Sequence, residues 1–189
     1  IGDSFTEGIG EPEPSAPGGN RGWADRVAEQ LRRGVDDFAY ANLAVRGKLI
    51  AQIATAQIEP ALELRPDLIT FSAGGNDVLR PGSDPDAIAE LFEASVRRLR
   101  SENATVVVFT GVDVGFSPVF RAIRGKVAIY NENVRAIAHK YDCVVVDQWG
   151  ARQLQDPRYW SVDRLHLNPL GHHTVAMLVL DALNVPHTL

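Results

Sequence analysis

The stretch ATVVVFT, residues 104–110, carries the clearest strand signal in the chain. Its valines and phenylalanine follow one another without alternating polar residues, which is typical of a strand buried on both faces. DLITFSA at 67–73 and CVVVD at 143–147 repeat this pattern, and FAYANLAV at 38–45 is a further strand candidate. Strands of this kind form parallel sheets with helices on both sides.

The segments between these strands carry apolar residues at helical spacing. Asp84-Pro85 and Asn168-Pro169 each place a capping side chain before a proline, which marks the start of a helix. Another helical pattern begins near Ile50 and should end at Pro60, because a proline inside a helix removes a hydrogen bond. Without a linker or an internal repeat, the alternation predicts an α/β chain that folds as one domain over residues 1–189.

The composition excludes several classes of partner. Of the 189 residues, 45% are hydrophobic and 23% charged, and the formal net charge of -5 disfavours binding to nucleic acid. No apolar run approaches the length that crosses a bilayer, so no membrane span is predicted. Cys143 is the single cysteine, which rules out an internal disulfide and favours a reducing, cytoplasmic location. No pattern indicates the oligomeric state.

Several polar motifs lie at the ends of predicted strands, where parallel sheets bind their ligands. GDSFT at 2–6 puts Ser4 in a sharp turn, and DRLH at 163–166 puts Asp163 three residues before His166. A serine hydroxyl becomes an effective nucleophile beside a general base that a third group orients. In a turn, Asp163 can hold one ring nitrogen of His166 and leave the other for the serine. Each motif alone is more often an ordinary cap or surface contact.

Two further turns contain groups that can stabilise a negatively charged oxygen. Gly47 ends one strand candidate, where the lack of a side chain lets its backbone N–H approach a ligand closely. GGND at 74–77 follows another strand, and the side-chain amide of Asn76 can donate a hydrogen bond. Asp3 and Asp77, next to these residues, are interpreted as carboxylates that stabilise the turns.

Taken together and in this order, the four motifs resemble the four blocks of the SGNH hydrolases, also called the GDSL esterase/lipase family. GDSFT resembles the first block, NLAVRG at 42–47 the second, GGND the third and DRLH the fourth. The resemblance covers nearly the whole chain. It implies a flavodoxin-like three-layer α/β/α sandwich whose sheet has five parallel strands in the order 2-1-3-4-5.

The resemblance also assigns a role to each motif residue. Ser4 is expected to be the nucleophile of a carboxylic ester or thioester hydrolase, with His166 as its base and Asp163 orienting that histidine. The Ser4 N–H, the Gly47 N–H and the Asn76 amide are expected to form the oxyanion hole. The implied partner is a small-molecule ester, and neither a metal nor an organic cofactor is needed.

Two features depart from the family's pattern. Phe5 stands where leucine is usual, which changes apolar bulk beside the nucleophile without touching the chemistry. Only Ile1 precedes the first turn, so we expect the first strand to be shortened at the N-terminus. Whether a leader precedes it stays open.

Other interpretations of the same residues stay open as well. Asp163, His166, His172 and His173 include metal-ligand types, although adjacent histidines on a helix point to different sides. Ser72 beside GGND is interpreted as structural. A non-catalytic module that binds phosphate or flavin at the glycine turns, or an acyltransferase that uses the same triad, are the alternative functions.

The motifs do not fix the size of the substrate. Phe116, Phe120, Tyr159 and Trp160 lie in irregular stretches near the expected site, where they either line an acyl pocket or form a small local core. Arg46 either contacts an acidic substrate or lies in solvent. The short loops favour a small acyl group, such as acetyl or another short-chain acyl.

Overall fold

The computed structural model of the protein describes three stretches of the chain, residues 1–16, 18–101 and 103–188. The strands of its parallel sheet are β1 (Leu68–Phe71), β2 (Thr105–Phe109) and β3 (Val144–Val146), in the order β1-β2-β3. The stretch at 104–110 therefore forms the central strand, as its pattern predicts. Val107 lies opposite both Thr70 and Val144, which fixes the register of all three strands.

The prediction of five strands in the order 2-1-3-4-5 is wrong, because the described residues form three. Gly2 makes a single parallel bridge to Ser72, and the Val45 N–H donates to the Gly2 carbonyl over 3.1 Å. The first helix begins at Ser4, so the run before it is too short to build a ladder. Residues 38–45 consequently lack a partner strand among the described residues and form no strand themselves.

The helices of the described residues are α1 (Ser4–Glu7), α2 (Trp23–Leu31), α3 (Ile50–Glu63), α4 (Gly75–Val78), α5 (Pro85–Leu99), α6 (Arg124–Lys140) and α7 (Pro169–Ala182). Two of them begin as the sequence predicts. The Asp84 carboxylate accepts the Asp86 N–H over 2.9 Å, and the Asn168 side chain accepts the Gly171 N–H over 3.1 Å. Each cap satisfies a backbone donor that the helix itself cannot.

Helices lie on both faces of the sheet, so the molecule has three layers. Side chains alternate along β2: Val106 and Val108 enter a core shared with α3, α5 and α6, whereas Val107 and Phe109 enter a core shared with α2 and α7. Burial on both faces explains why residues 106–109 of the strand are all apolar, whereas the exposed first residue, Thr105, is polar. The carboxyl ends of the strands are left free, and the polar motifs follow there.

The helix α3 does not end at Pro60 as predicted but continues to Glu63. Ala61 and Leu62 are buried in the same core as Ile58. Burying an apolar side chain contributes about 1.5–3 kcal/mol, comparable with the roughly 3 kcal/mol that a proline costs inside a helix. Packing therefore carries the helix past the proline. No helix in the described parts of the chain is long and apolar enough to cross a membrane.

Candidate active site

Ser4 is the first residue of α1, next to the bridge that joins the N-terminal residues to the end of β1. Asp3 caps this helix by accepting the Phe5 N–H over 3.1 Å, and Gly8 ends it with a left-handed φ of 90°. The Phe5 ring packs against Phe109 with 5.7 Å between ring centroids. The phenylalanine that departs from the family's first block is thus an apolar anchor for the turn that carries the serine.

His166 lies in a closed loop, residues 160–167, that leads into α7. An antiparallel bridge joins the two ends of the loop, and the Ser161 N–H donates to the His166 carbonyl over 2.8 Å. Inside the loop, Asp163 Oδ1 accepts the N–H of Leu165 at 2.9 Å and that of His166 at 3.0 Å. The aspartate therefore shapes the turn with one oxygen and keeps the other for the histidine ring.

The structure brings Ser4, His166 and Asp163 together. His166 Nδ1 lies 2.7 Å from Asp163 Oδ2, and His166 Nε2 lies 3.1 Å from Ser4 Oγ. With the proton on Nδ1, the lone pair of Nε2 faces the serine hydroxyl and can accept its proton. This is the arrangement that activates a serine nucleophile.

The surroundings of Asp163 favour its ionised form. Burial raises the pKa of its carboxyl, but hydrogen bonds from the His166 ring and from the His166 and Leu165 N–H groups outweigh that effect. The pKa therefore lies below its ordinary value. The carboxylate stays ionised at neutral pH and can stabilise a positive charge on the imidazole.

The predicted oxyanion donors are arranged less simply. Neither the Ser4 N–H nor the Gly47 N–H donates a hydrogen bond to another described residue. Ser4 and Asn76 line the cavity at this site, whereas Gly47 is not among its lining residues. The Asn76 amide is engaged: its Nδ2 donates to the Lys48 carbonyl at 3.0 Å and to Asp3 Oδ2 at 3.2 Å. In this state Asn76 braces the loop that contains Gly47. It reaches an oxyanion only by giving up one of the two acceptors.

Asp3 is an unusually buried carboxyl beside the serine, with 7% of its surface exposed. Burial raises its pKa to about 6, and the nearby charge of Asp77 adds to this. The Phe5 N–H and the charge of His166 act in the opposite direction without cancelling it. Asp77 itself caps α3 by accepting the Ile50 N–H over 2.9 Å, so both aspartates stabilise turns, as the sequence predicts.

A cavity of about 200 Å³ opens beside Ser4 and His166. Three of the four predicted pocket aromatics line it, Phe116, Phe120 and Trp160, whereas Tyr159 does not and packs against the core around α2 and α7. The aliphatic part of the lining was not predicted from the sequence. Its residues are Ala73, Val78, Leu79, Val112, Val114, Ile123, Val127, Leu165 and Leu167. The position of Leu165 inside the DRLH motif is the one signal that points to it.

The remaining candidates have structural partners. The buried His172 ring accepts the Trp23 N–H at Nδ1 over 3.2 Å and faces the Ile9 carbonyl with Nε2 over 3.1 Å. Burial lowers the pKa of His172, which keeps the ring neutral in this position. No group of three or more metal-ligating side chains occurs among residues 1–16, 18–101 and 103–188. Arg46 pairs with Glu7, with 2.7 Å between Nη2 and Oε1.

Residues 1–174 match the GDSL-like Lipase/Acylhydrolase family. The chain belongs to this family. This confirms the resemblance seen in the four motifs, and the protein is an SGNH-type esterase. No curated protein matches its sequence.

Solved structures similar to this esterase support the fold. LAE5, an alpha/beta hydrolase enzyme from the metagenome of Lake Arreo, Spain, is 23% identical, with a TM-score of 0.82 over 100% of this chain and 94% of that one. Axe2, an acetylxylan esterase from Geobacillus stearothermophilus, is 19% identical, with a TM-score of 0.79 over 98% and 93%. TesA is 18% identical, with a TM-score of 0.79 over 96% and 94%.

Proposed function

We propose that this esterase hydrolyses carboxylic esters of short acyl groups in two steps, through an acyl-enzyme formed on Ser4. His166 Nε2 takes the hydroxyl proton while Ser4 Oγ attacks the acyl carbon. The tetrahedral intermediate then collapses, and His166 returns the proton to the departing alkoxide. In the second step, His166 removes a proton from water, which attacks the acyl carbon. The bond from that carbon to Ser4 Oγ then breaks, His166 returns the proton to Ser4 Oγ, and the acid is released.

The observation that carries this proposal is the unbroken chain of contacts from Asp163 through His166 to Ser4, at 2.7 and 3.1 Å. Asp163 holds the imidazole in the tautomer that the step requires and offsets its transient positive charge. The free N–H groups of Ser4 and Gly47 are the proposed primary oxyanion donors. Asn76 is the third, exchanging its longer contact with Asp3 for the developing oxyanion.

The cavity supports the proposal of a short acyl group. Its volume of about 200 Å³ is below the roughly 300–1,000 Å³ of common ligand pockets. For comparison, an apolar cavity of about 150 Å³ holds one benzene molecule. The aromatic and aliphatic lining suits the hydrocarbon part of a short acyl group. The acetylxylan esterase among the similar structures is in keeping with this size.

A fluorophosphonate probe tests the proposal, because an activated serine displaces its fluoride and forms a stable phosphonate ester. We expect a single label on the peptide that contains Ser4, and no label after Ser4→Ala or His166→Ala. Ser72→Ala is the matched control, because Ser72 lines the same cavity. Label on Ser72, or no label on the unaltered protein, would contradict the proposed nucleophile.

The same triad can pass the acyl group to an acceptor other than water. Hydrolysis predicts one equivalent of free acid for each ester consumed in plain buffer. If ester is consumed only when a second alcohol or amine is added, the protein is an acyltransferase and the second step above is wrong.

A further inference from the structure

We infer that Glu7 is a positioning residue that fixes the direction of the Gly47 N–H towards the oxyanion. This inference rests on the proposed function, because it concerns the oxyanion hole of the same site. It begins from the loop that carries Gly47. The backbone of residues 46–48 makes two hydrogen bonds with other described residues, one on either side of the glycine.

The first of these two bonds comes from Glu7. Its Oε2 accepts the Arg46 backbone N–H over 2.6 Å, and its Oε1 accepts Nη2 of the same arginine over 2.7 Å. The Glu7 side chain is 18% exposed, whereas that of Arg46 is 63% exposed. The carboxylate thus faces the loop, and the arginine covers it from the solvent side.

The second bond comes from Asn76, whose amide donates to the Lys48 carbonyl over 3.0 Å. Gly47 therefore sits between two anchored neighbours, and its φ of +75° is a conformation that glycine adopts without strain. Gly47 is exposed, and beyond its two chain neighbours no heavy atom of the described residues lies within 4 Å of the position a Cβ would take. Packing in that direction does not hold the glycine, so we assign its orientation to the two hydrogen bonds.

Glu7 also belongs to the element that carries the nucleophile. Ser4 is the first residue of α1 and Glu7 is the last, one helical turn later. The carboxylate therefore fixes the Gly47 loop relative to Ser4 itself. A misplacement of about 1 Å in an active site can cost on the order of 100-fold in rate, and loss of one oxyanion donor costs about 100- to 1,000-fold. Loosening the Gly47 N–H should therefore lower the rate less than removing it would.

Two variants of nearly equal shape separate this role from simple packing. Glu7→Gln keeps a side-chain oxygen that can accept the Arg46 N–H, whereas Glu7→Met fills similar space without that acceptor. We expect Glu7→Met to lower kcat about 10- to 100-fold with KM within about 3-fold. Glu7→Gln should keep kcat within about 5-fold. Arg46→Ala, which keeps the backbone N–H, should stay within about 3-fold of the unaltered enzyme.

Several outcomes would overturn the inference. Glu7→Met with unchanged kcat would show that the loop needs no such anchor. Equal losses in Glu7→Met and Arg46→Ala would assign the effect to the ion pair instead. An unfolded Glu7→Met protein would assign Glu7 to stability rather than to positioning. If the unaltered protein hydrolyses no ester and takes no fluorophosphonate at Ser4, the proposed function fails, a result distinct from these three.

Discussion

The buried Asp3 carboxyl should make the stability of the protein depend on pH in an unusual direction. Its pKa is raised from 3.8 to about 6 in the folded state. A carboxyl with a raised pKa stabilises the fold while it is protonated, and this contribution is lost as the pH rises from 3.8 towards 6. For one titrating group, the free energy of unfolding falls by about 2 kcal/mol between pH 4 and pH 7.

The substitution Asp3→Asn isolates this effect. Asparagine is an effective helix cap and keeps an oxygen for the Phe5 N–H, but it carries no charge. The contribution of every other titrating group, including the buried His172, is largely common to both proteins and cancels in their difference. We therefore expect the stability of Asp3→Asn relative to the unaltered protein to rise by about 2 kcal/mol from pH 4 to pH 7.

Urea unfolding followed by circular dichroism at pH 4, 5, 6 and 7 measures this difference. Asp84→Asn is the control, because Asp84 caps α5 in the same way from an exposed position. Its difference from the unaltered protein should stay within about 0.5 kcal/mol across the series. A flat profile for Asp3→Asn, or one that falls with pH, would refute the argument that burial disfavours the charged carboxyl.

Three further predictions concern the site and its supports. Asp163→Asn should lower kcat about 1,000- to 10,000-fold with little change in unfolding free energy, because the imidazole loses its orienting anion. A loss of less than about 10-fold in steady-state kinetics would contradict this. Gly10→Ala should lower the free energy of unfolding in urea by about 3 kcal/mol or more, since its Cβ would lie 1.8 Å from the Leu167 carbonyl oxygen and its φ is +109°. A stability close to that of the unaltered protein would show that the backbone there shifts at little energetic cost. The kcat/KM for p-nitrophenyl butyrate should exceed that for p-nitrophenyl octanoate at least about 10-fold, and Phe116→Ala should lower this butyrate-to-octanoate ratio. An unchanged ratio would remove Phe116 from the acyl pocket.

Much of the architecture follows from local sequence. The uninterrupted valines of β2 predict a strand buried on both faces, and the Asp84 and Asn168 caps mark helix starts that the structure confirms. The number of strands does not follow in this way. Residues 38–45 have strand-like composition, but a strand exists only when another strand pairs with it, and pairing depends on residues far away in the sequence.

The candidate site, too, is predicted from the sequence only in part. The motifs predict which residues meet, because the ends of parallel strands share one edge of the sheet, and Ser4 and His166 do meet. The packing of three separate turns determines two contacts of the site. These are the hydrogen bonds that the Asn76 amide donates and the contact of Glu7 with the Arg46 backbone. No single motif contains that information.

The contact between Ser4 and His166 joins residues 162 positions apart. During synthesis, His166 therefore leaves the ribosome about 8 to 32 s after Ser4, at roughly 5–20 residues per second. A nascent or prematurely released chain that lacks the loop at 160–167 therefore carries the nucleophile without the means to activate it. Ester hydrolysis then reports that this loop has emerged and folded, and a pulse-chase assay should find its onset only after that point.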